Sequence, residues 1–99
     1  MKENLNFGQA IEALKEGKRV ARQGWNGKGM FLFLIPEGNN IPTKVFHDEA
    51  LRKVIETETG RDTFDAYGSI RMWTADKKVL TGWLASQTDM LSEDWVIIN

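Results

Sequence analysis

Lys18-Arg19-Val20-Ala21-Arg22-Gln23-Gly24-Trp25-Asn26-Gly27-Lys28-Gly29-Met30-Phe31-Leu32-Phe33-Leu34-Ile35 decides the fold. Its first five residues form a short strand candidate. From Met30 onward an unbroken apolar run reads as a strand buried on both faces. Between them, Gln23 to Gly29 holds three glycines and an Asn26-Gly27 pair, the composition of a turn. Pro36 has no N–H to give to a sheet ladder and closes the second strand. Two strands around a glycine loop make a hairpin.

Upstream, Phe7, Ala10, Ile11 and Leu14 recur at i, i+3, i+4 and i+7, one face of a helix over about Phe7 to Glu16. Asn6 can cap it with Gln9 as capping-box partner, and Gly17 can end it in a left-handed conformation. Downstream, Glu37 to Thr43 reads as an irregular connection. A second helix is predicted from about Phe46 to Glu56, with Ala50, Leu51, Val54 and Ile55 on one face and Gly60 closing it. Arg61 to Ala66 is polar and reads as a mobile loop. Gly68 to Thr74 alternates as a strand, Ala75 to Lys78 is a four-residue turn, and Val79 to Leu84 is the antiparallel partner. Ala85 to Glu93 reads as loop with one helical turn, and Trp95 to Ile98 as a last strand. The expected fold is α+β: a small single domain over residues 1–99, with a mostly antiparallel sheet of about five strands and two helices.

Ninety-nine residues suit one domain. A chain of this size buries about two-thirds of its unfolded surface, enough for one modest core. Thirteen Lys plus Arg against fourteen Asp plus Glu leave a net charge of -1, so no global field draws in a nucleic acid polymer or an anionic membrane. There is no cysteine, which excludes disulfides and cysteine-based zinc sites. The N-terminus has no apolar stretch of a signal peptide, and Met30 to Ile35 is too short to span a bilayer. The expected location is the cytoplasm.

Two segments gather groups suited to a charged aromatic ligand. The loop around Trp25, Asn26, Gly27 and Lys28 matches neither the dinucleotide fingerprint nor a P-loop, because spacing and the residue after Lys28 are wrong. It still offers an indole, an amide, an ammonium and backbone N–H groups, which fit a base and a phosphate. The alternative is a plain hairpin turn with Trp25 in the core. The second segment puts Ser86, Gln87, Thr88 and Asp89 in a row before Met90 and Leu91. Four hydrogen-bonding side chains can read ribose hydroxyls or a base edge. The alternative is a capping box from Ser86 to Asp89. Strand alternation also puts Arg71 and Trp73 on one face, a guanidinium beside an indole. Trp73, Trp83 and Trp95 otherwise read as core packing and cross-strand pairs.

Little points to catalysis. His47 is the sole histidine, and His47, Asp48 and Glu49 are consecutive on a helix, so they diverge. No catalytic residue, metal site or cofactor is expected.

The residues of both segments carry a resemblance. Phe7-Gly8-Gln9-Ala10 with Leu14 and Gly17, followed by Val20 to Lys28, forms one signature. Gly82 to Leu91 with Asp94-Trp95 forms the other. Together they resemble the Thoeris anti-defence family of the second type, from phages, prophages and bacteria. Residues 37 to 67 contribute nothing to the resemblance. It implies a sponge that binds cyclic ADP-ribose isomers, in some members also cyclic dinucleotides, without cleaving them. It also implies homo-oligomers, tetramers in pattern, with pockets at subunit interfaces. On this reading the ligand contacts are Trp25, Asn26, Gly27, Lys28, Arg71, Trp73, Ser86, Thr88, Asp89 and Met90. A ligand of about 35 non-hydrogen atoms at about 0.3 kcal/mol each would reach about -10 kcal/mol, a dissociation constant in the tens of nanomolar. The rival readings are a protein-interaction module that inhibits a host protein and an enzyme that degrades the signal.

Overall fold

A computed structural model describes residues 2–25 and 27–99, which gather into two compact units, one of the described residues up to Pro36 with Ser69–Asn99, the other of Glu37–Gly68. The first unit is a six-stranded antiparallel sheet. Its strands are β1 (Lys2–Leu5), β2 (Val20–Arg22), β3 (Phe31–Ile35), β6 (Ser69–Trp73), β7 (Val79–Thr81) and β8 (Trp95–Ile97), in the spatial order β1-β8-β2-β3-β6-β7. Helix α1 (Phe7–Lys15) lies on this unit, and a short helix α3 (Gln87–Leu91) precedes β8.

Helix α1 forms where its caps and apolar stripe demand. Gln9 N donates to Asn6 Oδ1 at 2.8 Å, and Asn6 N donates to Gln9 Oε1 at 2.9 Å, which closes the capping box. Gly17, at φ 85°, turns the chain out of the helix. Ala10, Ala13 and Leu14 are buried, and with Val20, Leu32, Met72 and Trp95 they form the core. Removing such a side chain, as in Leu14→Ala, costs about 2–5 kcal/mol.

The predicted hairpin is β2 and β3, paired antiparallel with Val20 opposite Leu32. One expectation fails here: β3 is not buried on both faces. Leu32 is fully buried, whereas Phe31, Phe33, Leu34 and Ile35 are half-buried. The alternation sends Leu32 to the α1 side and Phe31 and Phe33 to the other. In β6, Arg71 stands opposite Phe33 and Trp73 opposite Phe31. Strand β7 ends three residues before its expected limit, because Gly82 takes φ 78°.

The second unit holds β4 (Gly38–Pro42), a 3-10 turn (Thr43–Val45), helix α2 (Glu49–Thr59) and β5 (Thr63–Ala66). Sequence reading takes both β4 and β5 for loops, and the structure corrects this. They pair with one another antiparallel, Ile41 opposite Phe64, so each supplies the partner its polar sequence does not advertise. Thr43 is buried, and both its N–H and its hydroxyl donate to the Asp62 carbonyl, at 2.9 and 3.2 Å. Helix α2 lies three residues C-terminal of its expected start. Asp48 accepts from Leu51 N at 3.0 Å and fixes the beginning; Gly60, at φ 69°, fixes the end. None of its residues is fully buried.

Strand β1 is also unforeseen. It carries a single apolar residue and joins the sheet through pairing with β8, with an irregular register near Asn4, whose φ is 57°. The fold class stands as α+β with a mostly antiparallel sheet, with six strands plus two and three helices where about five strands and two helices were expected. No helix among the described residues is long and apolar enough to cross a membrane.

Candidate functional site

Arg22 ends β2 on the same side of the sheet as fully buried Val20, so its cation is directed at the interior end of the strand. A guanidinium there needs carboxylates. Two reach it from the C-terminal segment. Its Nε donates to Asp94 Oδ1 at 2.9 Å, its Nη2 to Asp94 Oδ2 at 3.4 Å, and its Nη1 to Asp89 Oδ1 at 2.9 Å. Gly24 N also donates to Asp94 Oδ2 at 2.9 Å. Trp25 Nε1 donates to Asp89 Oδ1 at 3.3 Å.

Asp89 has a second duty. Ser86 N donates to its Oδ2 at 3.0 Å, and Asp89 N donates to Ser86 Oγ at 3.0 Å, which closes the capping box of α3. Trp95 Nε1 donates to the Asp89 carbonyl at 3.0 Å. Behind this network, the indoles of Trp25, Trp83 and Trp95 meet pairwise, with centroids 5.5–6.4 Å apart and edges toward faces. Both loops named by the sequence are therefore fastened to one another through Arg22.

The electrostatics follow. Burial pushes the Asp89 carboxyl up, but the Ser86 backbone N–H, the Arg22 guanidinium and the Trp25 N–H overcome it and hold it below the ordinary carboxylate range. Arg22 likewise holds Asp94 low, against a smaller effect of burial and with help from Gly24 N–H. The bond to Asp94 raises Arg22 above its ordinary value. All three groups are charged at neutral pH.

A different arrangement occupies the sheet face away from α1. Trp73 stacks on Phe31 with an interplanar angle of 24° and centroids 6.3 Å apart, and Phe31 meets Phe33 at 6.2 Å. The Arg19 guanidinium lies 4.9 Å from the centroid of Phe31. Arg71, opposite Phe33, has its Nε buried with no hydrogen-bond partner among the described residues.

The candidate residues thus divide. Trp25, Ser86 and Asp89 meet at the Arg22 junction, and Arg71 and Trp73 share the aromatic face. Gly27 is half-buried, and a Cβ on it would collide with Met30 Sδ. Lys28 and Thr88 are exposed, and Met90 is 40% exposed. Asn26 lies outside the described residues. Sequence reasoning did not single out Arg22, Asp94, Arg19 or Phe31. The signal for Arg22 was its alternation with Val20, which puts an arginine on an apolar face and calls for a carboxylate.

A cleft in the second unit, of about 490 Å³, is lined by Thr43, Arg52, Glu56, Arg61 and Asp62 among others. Arg52 there is already paired with Glu49 at 2.7 Å and Glu56 at 3.2 Å. Among the described residues no group of three or more His, Asp or Glu is placed to hold a metal ion.

Comparison with known proteins places the chain beside one family. A family model described as a Thoeris anti-defense 2-like domain matches residues 5–98. A relative from Bacillus phage SP01, named Thoeris anti-defense 2, is 39% identical over 99 residues, which cover 100% of both chains.

Proposed function

The chain belongs to the Thoeris anti-defense 2-like family, with an anti-defence role against Thoeris, and from that premise we propose that it works as a sponge. In this reading it binds a cyclic ADP-ribose-type signalling molecule, holds it unchanged and so silences the defence. Related cyclic dinucleotides are a second ligand class. The protein acts as a homo-oligomer in the cytoplasm and needs no catalytic group.

The observation that carries the ligand class is that Arg71 and Trp73 share one sheet face. A guanidinium without an ion pair among the described residues stands there two positions from an indole stacked on Phe31. Charge-assisted bonds to a phosphate and stacking of a base both become available there. Lys28, Thr88 and Met90 lie at the surface beside or within the two loops, where they can add contacts. Ser86 and Asp89 act by holding Trp25 in place. Asp89 and Asp94 are kept ionised by internal donors, which makes them struts and not proton donors.

Titration calorimetry with a panel of cyclic ADP-ribose isomers and cyclic dinucleotides tests the reading. Stoichiometric binding is expected, with the ligand recovered intact after the protein is denatured. Absence of heat with every compound would reject it, and recovery of a cleaved product would make the protein an enzyme. A protein-interaction module is the competing reading, and Leu84 and Leu91, 89% and 79% exposed, are what favour it. Capture of a host protein without any nucleotide binding would decide for that alternative.

A further inference from the structure

We infer that Arg19 and Arg71 together form a two-cation clamp on the aromatic sheet face, fitted to a ligand that carries two phosphate charges and an aromatic base. The inference rests on the proposed binding role and deepens it by naming the second cation and the chemistry it takes.

Register brings the two residues together. Val20 stands opposite Leu32, so Arg19, one residue earlier, is level with Phe33, and Phe33 stands opposite Arg71. Ile98 N donates to the Arg19 carbonyl at 2.8 Å, which extends the ladder through this position. Arg19 and Arg71 therefore flank Phe33 in one row, two strand spacings or about 10 Å apart at their backbones. Phe31 and Trp73 form the neighbouring row.

Charge makes the face unusual. On this side, β2, β3, β6 and β7, with the residue before β2, carry Arg19 and Arg71 as their charged side chains and no carboxylate. Neither arginine forms an ion pair among the described residues. Both are half-buried. Arg19 spends its Nε on Asn99 Oδ1 at 2.7 Å and lies over the Phe31 ring, which leaves its terminal nitrogens for another acceptor. Both guanidiniums are half-buried and neither has a carboxylate partner among the described residues, so an anion placed between them meets charge-assisted donors from both sides. A diphosphate, with its charge spread over two linked groups, can engage both across a spacing of about 10 Å. The rings of Phe31 and Trp73 add the surface for a base.

The test titrates the intact protein with ADP, AMP, adenosine and a cyclic ADP-ribose isomer, using wild type, Arg19→Ala, Arg71→Ala and the double variant. Near-ultraviolet circular dichroism and thermal melting verify the fold, and Arg→Lys versions cover any variant that fails to fold. The expected order of affinity is ADP above AMP above adenosine. Each Ala variant should lose about tenfold or more for the two-phosphate ligands and little for adenosine. If the cyclic ADP-ribose isomer binds equally to wild type and both variants, the clamp is wrong while the sponge stands. If ADP binds in an Arg19-dependent way and no cyclic nucleotide binds, the clamp stands and the sponge falls. Dissociation of an oligomer by Arg19→Ala, with ligand affinity per subunit unchanged, would make the face a contact between copies and overturn the clamp.

Discussion

Arg22 Nη1 lies 2.9 Å from Asp89 Oδ1, a contact between residues 67 positions apart in the chain. It joins the glycine loop to the segment before β8. Everything the two loops can do together depends on it, because Gly24 is tied to Asp94, and Trp25 and Ser86 to Asp89, the two carboxylates that Arg22 holds.

Removing the cation should therefore loosen both loops. Arg22→Met leaves Asp89 buried with its charge uncompensated, and a destabilisation of about 3 kcal/mol is expected. Urea denaturation at neutral pH checks it. A loss below about 1 kcal/mol would mean the junction is solvated like a surface pair.

Acid should undo the same junction. Asp89 and Asp94 have folded-state values below their ordinary ones, so their contribution is complete above the ordinary carboxylate range, near pH 4, and is lost as pH falls through the lower folded values. Melting temperature should be flat from neutral pH down to about pH 5 and fall below about pH 4. In Arg22→Met the acid loss should be shallower, since neither carboxyl is then held low by a cation. Parallel acid profiles for the two proteins would contradict this.

Two glycines should respond to alanine for different reasons. At Gly24 an added Cβ would sit 2.7 Å from Asp94 Oδ2, so Gly24→Ala pushes the carboxylate off Arg22 and costs about 1–3 kcal/mol. At Gly17 a Cβ meets nothing within 4 Å, but φ is 85°, and the strain of that conformation costs about 1 kcal/mol. Only the Gly24 variant should also change the acid profile.

Trp95 and Trp25 share Asp89 but not their surroundings. Trp95 is fully buried, and Trp95→Phe strips a donor from the buried Asp89 carbonyl besides shrinking the core, so it should cost about 3 kcal/mol or more. Trp25 is half-buried, and Trp25→Phe should cost about 1 kcal/mol for its longer bond to Asp89. Under the sponge reading Trp25→Ala weakens ligand binding with the fold preserved. Calorimetry beside chemical denaturation separates the two effects.

Local chemistry was readable from residue order. The Asn6–Gln9 capping box, the left-handed Gly17 and Gly60, the hairpin around Gly24 to Gly29 and the box from Ser86 to Asp89 each involve groups within a few residues of one another. Short-range geometry fixes such groups, so spacing alone announces them. Strands β1, β4 and β5 have weak patterns of their own and exist through partners, β8 for the first and one another for the rest. The ion junction and the aromatic face are of the same kind. Arg22 meets Asp89 and Asp94, and Arg19 shares a row with Arg71, because antiparallel register stacks distant segments side by side. By itself the sequence determined which residues turn and which cap, since those choices are made against near neighbours and water. Which charges meet, and which stay without a partner, was decided by the tertiary structure, because a cation's partner is set by proximity in space and no spacing along the chain encodes it.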